Sequence, residues 1–273
     1  MALTGSARRL AGKLLAGTAR AVGDENYRVF VDRLHREVYP NGFNVRGIHY
    51  YPDPCSVGLT AGGEVTGASA ADLVRERGMS GLHVLDICCG VGLVGLTMLT
   101  CLKDDPERRV ESMSLADINI FNLNSIERTL QTNPSERWGD VPVRTFLTDG
   151  LKNIEPANQF DLIVSNPPHF FLKNFSEVPL QPDVLGTNDA GWKFHTEFYA
   201  VAAEYLSPRG EVWFLENHLA ECDDQLVQMA KDASGLELFD VFDDRRESTL
   251  FWVMTRRAQG DAGEHAEPSG PAS

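Results

Sequence analysis

A short loop in the middle of the chain, Asn166-Pro167-Pro168-His169, carries the residues best suited to chemistry. The two prolines fix φ and lack an N–H donor, so the loop is rigid and presents carbonyl oxygens. The Asn166 side-chain oxygen and the Pro167 carbonyl oxygen can accept the hydrogens of an –NH₂ or –NH– group. The flat ring of His169 can stack on the conjugated system that carries this nitrogen. The loop therefore predicts a site for a planar nitrogen, with the catalytic residues Asn166, Pro167, Pro168 and His169.

A glycine-rich turn lies earlier in the chain, in the run VLDICCGVG at residues 84–92. Its glycines, Gly90 and Gly92, let the backbone turn sharply and approach a ligand closely. The N-terminus of the helix that follows offers free N–H groups. The phosphate-binding pattern GxGxxG is not met, because Cys88 stands where its first glycine would lie. A tight strand-to-helix turn without a ligand would have a similar sequence, so the turn alone does not define a function.

Two acidic residues end later strand-like runs: Asp117 ends SLAD, and Asp149 ends FLTD. A carboxylate at the end of a neighbouring parallel strand lies over the same crevice as the glycine-rich turn, where it can accept hydrogen bonds from ribose hydroxyls. Asp149 could bind an adenine amino group in the same crevice. Each residue also has a simpler interpretation, because Asp117 could cap the next helix and Asp149-Gly150 could be only a turn.

The elements that must position these residues alternate between strand-like and helix-like segments, which predicts an α/β domain with a mainly parallel sheet covered on both faces. Apolar runs predict strands at residues 83–88, 112–116, 143–148, 162–165, 211–216, 236–242 and 249–255. Helical patterns are found at residues 68–77, 91–102, 122–132, 192–206 and 223–234. Only the run DDRRES separates the last two strands, which is too short for a crossover helix and predicts an antiparallel pair.

The chain divides into three predicted regions. Residues 1–67 are interpreted as N-terminal helices and a connecting loop region that form a candidate lid over the substrate, residues 68–257 as the main domain, and residues 258–273 as a disordered tail with almost nothing to bury. Residues 3–22 place apolar residues at helical spacing with basic residues between them. That segment is either a helix that packs on the domain or an acid-free mitochondrial transit peptide. A second helical pattern follows directly and favours the packed helix.

The net charge of −14 over 273 residues is the most informative feature of the composition. An acidic protein repels a phosphate backbone, so the charge argues against nucleic acid as a partner and for a small-molecule, amino-acid or peptide substrate. No apolar run approaches the roughly 18 residues that a membrane helix needs. The five cysteines follow no CxxC spacing, which argues against a metal site and for reduced thiols in the cytoplasm.

The ordered set DICCGVG, ADIN, TDG and SNPPHF resembles the class I S-adenosylmethionine-dependent methyltransferases. Within that class it is similar to the branch with an (Asp/Asn/Ser)-Pro-Pro-aromatic motif, which includes release-factor glutamine methyltransferases, N6-adenine DNA methyltransferases and guanine-N2 rRNA methyltransferases. The resemblance covers about residues 81–257, and residues 191–217 are similar to the glutamine-methylating members. It implies a Rossmann-like methyltransferase fold with a seven-stranded mixed sheet, helices on both faces and an N-terminal helical extension.

The same resemblance implies S-adenosylmethionine as the cofactor. Asp86, Gly90 and Gly92 would surround its methionine part, Asp117 would bind the ribose, and Asp149 would bind the adenine. The full set of implied cofactor-binding residues is Asp86, Cys88, Cys89, Gly90, Gly92, Asp117, Ile118, Asn119, Asp149, Gly150 and Asn166. The chain departs from the family pattern twice. Cys88 replaces the usual first glycine, and His169 replaces the commoner Tyr or Phe, so a hydrogen bond or proton acceptance could supplement stacking.

The substrate is the least constrained part of the prediction. The candidate substrate-binding residues are Tyr50, Tyr51, Phe170, Trp192, His195 and Glu216. Together with the acidic composition they favour methylation of an amide, guanidine or conjugated amine of a small molecule or amino acid. Two alternatives stay open at this point: a protein-glutamine or rRNA N-methyltransferase, and a cofactor-binding regulatory subunit without catalysis.

Overall fold

The computed structural model describes residues 41–53, 56, 61–105, 107, 110–156, 160–172 and 188–259. The predicted N-terminal helices, and all of the predicted tail beyond residue 259, lie outside the described residues. Within the described ranges, no helix is long and apolar enough to cross a membrane.

A seven-stranded mixed sheet forms the centre of the described chain, in the order β10-β11-β9-β6-β3-β4-β5. The pairs within β9-β6-β3-β4-β5 are parallel, whereas β11 pairs antiparallel with both β9 and β10. The strands are β3 (Leu82–Ile87), β4 (Val110–Asp117), β5 (Val143–Leu147), β6 (Phe160–Ser165), β9 (Leu206–Asn217), β10 (Leu236–Asp243) and β11 (Leu250–Arg257). The predicted α/β fold, its mixed sheet and the antiparallel final pair are therefore confirmed.

Helices cover both faces of this sheet. Along β9, Trp213 and Leu215 belong to one hydrophobic core, while Val212 and Phe214 belong to a second core, because successive side chains of a strand point to opposite faces. Helices α1 (Ala61–Glu76), α2 (Leu93–Leu102) and α3 (Ile120–Thr132) contribute to the first core, and α4 (Lys193–Tyr205) and α5 (Asp223–Lys231) contribute to the second.

Two small strand pairs lie outside the main sheet. The hairpin of β1 (Phe43–Val45) and β2 (Ile48–Tyr50) leads into a segment that runs along α3, where the Asp53 backbone N–H donates to Ser125 Oγ at 2.7 Å. The strands β7 (Phe170–Leu172) and β8 (Asn188–Ala190) form a parallel pair. Because β7 begins directly after the Asn166 loop, this pair fixes the chain on the far side of that loop.

The edge of the sheet formed by β10 is irregular and charged. The pairing of β10 with β11 shifts register between Leu238 and Asp240, which is a β-bulge. Glu237, Asp240 and Asp243 are exposed on this strand.

The carboxyl ends of β3 and β6 define the crevice of this sheet. The chain moves outward from β3 to β4 and β5, then returns to the opposite side of β3 as β6, so the order of strands reverses between β3 and β6. Ligands of open α/β sheets bind at such a switch point. Ile87 pairs with Ser165 at the ends of these two strands, so the glycine-rich turn and the Asn166 loop leave the sheet side by side.

Candidate active site

The Asn166 loop begins at the buried end of β6. The Ser165 hydroxyl donates to the Ile87 carbonyl oxygen at 2.6 Å, which ties the start of this loop to the start of the glycine-rich turn. Pro167 and Pro168 are buried, whereas Asn166 and His169 are partly buried. The prolines therefore hold the loop in the protein, while Asn166 and His169 stay partly accessible.

Asn166 and His169 contact each other directly. Asn166 Oδ1 lies 2.7 Å from His169 Nε2, and His169 Nδ1 lies 3.1 Å from Glu216 Oε2. The edge of the His169 ring also faces the Phe170 ring, with 6.2 Å between centroids. Both nitrogens of His169 are thus engaged, which fixes the plane of the ring.

Behind Glu216 lies a further pair of buried polar residues. Glu216 Oε1 is 3.0 Å from His195 Nε2, and Asp189 Oδ2 is 2.7 Å from His195 Nδ1. Asp189 also accepts the backbone N–H groups of Phe194 and His195, at the N-terminus of α4. We refer to Asp189, His195 and Glu216 as the acid–histidine chain; each of its members is at most 3% exposed.

The charges of the acid–histidine chain follow from its geometry. Burial alone would lower the pKa of His195, but Glu216 and Asp189 outweigh it and raise that pKa to about 9. Burial likewise opposes ionisation of Glu216, but His195 and His169 lower the pKa of Glu216 to about 2. His195 is therefore an imidazolium and Glu216 a carboxylate at neutral pH.

The glycine-rich turn has an unusual backbone. Cys88, Gly90 and Gly92 all have positive φ, at 57°, 56° and 82°. Cys88 therefore adopts the left-handed conformation that a glycine at this position would take without strain. The Cys89 backbone N–H donates to the Ala116 carbonyl oxygen at 3.0 Å, which holds the turn against the end of β4. Burial raises the pKa of the Cys88 thiol well above its usual value, so this thiol is neutral.

Asp86 lies behind the turn. Its side chain is fully buried, and Oδ2 accepts the Gly95 backbone N–H at 2.8 Å. Burial is the largest cause that raises the pKa of Asp86, to about 8. The residue holds the turn against the first residues of α2, and its role in binding a cofactor stays a prediction.

Asp117 lies at the carboxyl end of β4, beside the turn. Its two carboxylate oxygens accept the backbone N–H groups of Gly90 and Asn119, each at 2.8 Å. Burial raises the pKa of Asp117 to about 6, although these hydrogen bonds oppose the shift. The N-cap of α3 is Asn119, which accepts the Phe121 backbone N–H at 3.0 Å. Asp117 is therefore not the cap of that helix.

The hydrogen-bond acceptor and the apolar side chain at the end of β4 fit the ribose and the adenine of S-adenosylmethionine. The Asp117 carboxylate is an acceptor to which a ribose hydroxyl can donate. The next residue, Ile118, is 55% exposed and offers an apolar surface for an adenine ring. Asp149 lies farther along the same edge, where its carboxylate pairs with Lys152 at 2.6 Å, and Gly150 follows it with a φ of 61°. The adenine-binding role of Asp149 stays a prediction.

Two of the six predicted substrate-binding residues contact His169, and two more lie behind Glu216. Phe170 faces its ring, Glu216 bonds to it, His195 bonds to Glu216, and Trp192 packs edge-on against His195 at 5.4 Å between centroids. His195 and Glu216 are fully buried, so they act on the site through His169 rather than as an open pocket wall.

The structure does not bring Tyr50 and Tyr51 into contact with the residues around His169, and their assignment as substrate-binding residues stays a prediction. Tyr50 is 1% exposed and stacks on Phe43 within the core on the opposite face of the sheet from His195. Tyr51 lies under the Arg128 guanidinium of α3, at 4.8 Å from the ring centroid. The physical reason is packing, because the β1–β2 hairpin covers α3 rather than the Asn166 loop.

Asp189 was missed by the sequence prediction. It lies six positions before His195, in the run NDAGW. It belongs to β8, which pairs with β7. A possible signal was its position just before a predicted helix, where an acid that accepts free N–H groups is favourable.

The switch-point crevice, the glycine-rich turn and the carboxylate at the end of β4 define the class I S-adenosylmethionine-dependent methyltransferases. Residues 70–238 match the family described as methyltransferase small domain, and the chain belongs to this family. The domain is therefore a methyltransferase whose methyl donor is S-adenosylmethionine. A solved methyltransferase from Pyrococcus furiosus shares the fold, with a TM-score of 0.50 and 14% identity over 85% of this chain and 98% of that one.

Two curated relatives carry names with a substrate. The ribosomal RNA small subunit methyltransferase C of Hahella chejuensis is 34% identical over 104 residues, which cover 38% of this chain and 26% of that protein. The tRNA1(Val) (adenine(37)-N6)-methyltransferase of Actinobacillus pleuropneumoniae is 24% identical over 195 residues, 71% of this chain and 73% of that protein. The chain spans about a quarter of the length of the Hahella protein and 51% of a further relative, the uncharacterized protein YbxB of Bacillus subtilis.

These relatives overturn the prediction that nucleic acid is an improbable partner, because their names specify rRNA and tRNA. The inference from charge was wrong. A net charge is a sum over the whole chain, whereas affinity for a phosphate backbone depends on the few cations placed near it.

Proposed function

We propose that this protein transfers the methyl group of S-adenosylmethionine to a planar nitrogen of a nucleobase in RNA. The observation that carries the proposal is the Asn166 amide, held by His169 at the end of β6 beside the glycine-rich turn. The names of the rRNA and tRNA methyltransferase relatives support RNA as the substrate. The proposal assigns the chain to the branch of methyltransferases with an Asn-Pro-Pro-aromatic motif.

A nucleobase amino group suits this loop chemically. It is planar and conjugated, and its two hydrogens match the Asn166 Oδ1 and Pro167 carbonyl acceptors. These hydrogen bonds orient the nitrogen for an in-line displacement, and they stabilise the positive charge that grows on it in the transition state. The base must leave its stack to reach the loop, so the target is a single-stranded or looped segment whose base can be turned out.

The cofactor supplies the methyl group, and the residues of the chain supply its orientation. In this proposal Asp117 accepts the ribose hydroxyls and Ile118 covers one face of the adenine. The backbone of Gly90 and Gly92 approaches the methionine part, and the buried prolines exclude water from the reacting nitrogen. Because the glycine-rich turn and the Asn166 loop leave the sheet at paired residues of β3 and β6, the methyl donor and acceptor meet at the switch point.

The decisive variant is Asn166→Ala. Loss of the amide removes an acceptor that acts mainly on the reacting nitrogen. We expect methyl transfer to fall by at least about 10²-fold while the affinity for S-adenosylmethionine is unchanged. Asn124→Ala, at an exposed position of α3, is the matched control. Methyl gain is measured by mass spectrometry on transcribed tRNA and rRNA fragments, and cofactor affinity by calorimetric titration.

Full turnover by Asn166→Ala would contradict the role of Asn166. Methylation of peptides or free amino acids, with none on RNA, would contradict the substrate. The wild-type protein is tested on all three pools in the same series, so the two failures are distinguishable.

A further inference from the structure

The acid–histidine chain is not required by methyl transfer as such. A base that lies against Asn166, Pro167 and His169 would not reach Asp189 or His195, which are buried behind Glu216. Yet a buried arrangement of two carboxylates and one imidazole ring is costly to desolvate, and it is stable only when each group has its hydrogen-bond partners. Its position directly behind His169 points to a task in the site.

The direction of each hydrogen bond in this chain is fixed by its charges. His195 is an imidazolium, so it donates from Nδ1 to Asp189 and from Nε2 to Glu216. Glu216 is an ionised carboxylate and therefore only accepts. His169 must then donate from Nδ1 to Glu216 and from Nε2 to Asn166, because the two oxygens that it faces only accept.

This constraint reaches Asn166. With Nδ1 committed to Glu216, the His169 ring presents only Nε2 to the Asn166 side chain, at 2.7 Å from Oδ1. The Asn166 amide thereby has a fixed position relative to the plane of the ring. Without Glu216, the ring could rotate about χ2, because this torsion has broad minima. That rotation would break the hydrogen bond that holds Asn166.

We propose that Glu216, supported by His195 and Asp189, is a positioning residue that fixes the His169 ring and through it the orientation of the Asn166 amide. The inference deepens the proposed function, because it concerns the same site and rests on methyl transfer at Asn166. It also explains why a histidine suits this position. Phe at residue 169 could stack on a base but could not link the loop to the acid–histidine chain.

The kinetic test is Glu216→Gln, which keeps the shape of the side chain and removes its charge. We expect kcat to fall by about 10²-fold with unchanged affinity for S-adenosylmethionine, since misplacement by about 1 Å costs that much. In a His169→Phe background the same substitution should have no additional effect, because the two residues act through one contact. Unchanged kcat in Glu216→Gln would overturn the proposal. So would a double variant whose loss of kcat equals the product of the losses in Glu216→Gln and His169→Phe.

A second variant and a second measurement keep the test independent of folding and of turnover. If Glu216→Gln fails to fold, Asp189→Asn replaces it, and unchanged kcat in folded Asp189→Asn would overturn the proposal. In protein with ¹⁵N-labelled histidine, the signal of the His169 Nδ1–H that Glu216 accepts should be present in the wild type and should change in the variant. An identical ring spectrum in the two proteins would overturn the proposal even if no RNA is methylated, whereas an altered ring without any turnover would count against the proposed function alone.

Discussion

Asp117 is the residue whose ionisation should govern cofactor binding. Its pKa is raised to about 6 by burial, so it is a carboxylate above that pH and a neutral acid below it. Only the carboxylate accepts hydrogen bonds on both oxygens, because protonation turns one oxygen into a donor. Cofactor affinity should therefore fall as the pH decreases through about 6.

We expect this pH dependence in calorimetric titrations of the wild type between pH 5 and 8. Asp117→Asn should bind weakly over the whole range, and the exposed Asp224→Asn on α5 should behave as the wild type. A flat affinity profile in the wild type would contradict the role of Asp117.

The stability of the fold should change with pH in the opposite direction to the cofactor affinity. The folded state binds more protons than the unfolded one between pH 3.8 and about 6, so the Asp117 contribution to the free energy of unfolding decreases as the pH rises.

At the residue scale, sequence motifs predicted the loop and the turn because their chemistry is local. Proline, glycine and asparagine act through their own backbone or side chain, so the run SNPPHF specifies its loop without reference to the rest of the chain. The positive φ of Cys88 was foreseeable only as a departure from the glycine pattern. The link from His169 to Glu216 was not foreseeable, because it joins side chains 47 positions apart that meet only when β6 and β9 pair.

Helix α1 illustrates the limits of prediction at the element scale. The helix was predicted to begin at residue 68, because Gly63 and Gly67 lower the helix propensity of the preceding segment. In the structure it begins at Ala61. Packing on α2 overrides that propensity, since a Cβ at Gly67 would lie 2.4 Å from the Val94 carbonyl oxygen. Strand β9 was likewise predicted to begin at residue 211, because Pro208 and Gly210 resemble a turn, yet its pairing with β6 begins at Leu206.

The close approach of α1 to α2 leads to a prediction about stability. Gly67→Ala adds a methyl group against backbone that cannot move freely, so we expect a loss of about 1–3 kcal/mol in the free energy of unfolding. That loss should occur despite the gain of about 1 kcal/mol in helix propensity. Urea denaturation measures it, with the exposed Glu127→Ala on α3 as a control for the added alanine. A more stable Gly67→Ala protein would show that the helices can separate without cost.

At the scale of the whole molecule, the net charge was the least reliable guide. The sum of −14 hides an uneven distribution, because residues 1–22 hold Arg8, Arg9, Lys13 and Arg20 and no acid. We propose that this basic segment supplies phosphate contacts for RNA. The parallel sheet was predictable from the alternation of strands and helices. The partner was not, because the number of charged residues does not say where on the surface the charges lie.

Replacement of the four basic residues of this segment by Gln tests the proposal. We expect weaker RNA binding and a smaller dependence of affinity on salt, with the log–log slope lowered by about 0.7–0.9 for each phosphate that the segment no longer neutralises. The affinity for S-adenosylmethionine should not change, and it serves as the internal control. Fluorescence anisotropy of labelled tRNA at several salt concentrations measures both the RNA affinity and its salt dependence. Equal slopes in the two proteins would show that the segment does not bind phosphates.

The edge of the sheet at β10 is charged and carries a β-bulge, and both features bear on aggregation. An open strand edge offers unpaired N–H and C=O groups to which the edge of another molecule can add, and this is a common route to aggregation. Asp240 places an exposed carboxylate on this edge, and the register shift next to it distorts the ladder that a second copy would join. A charge and a bulge at an open strand edge discourage the addition of another strand.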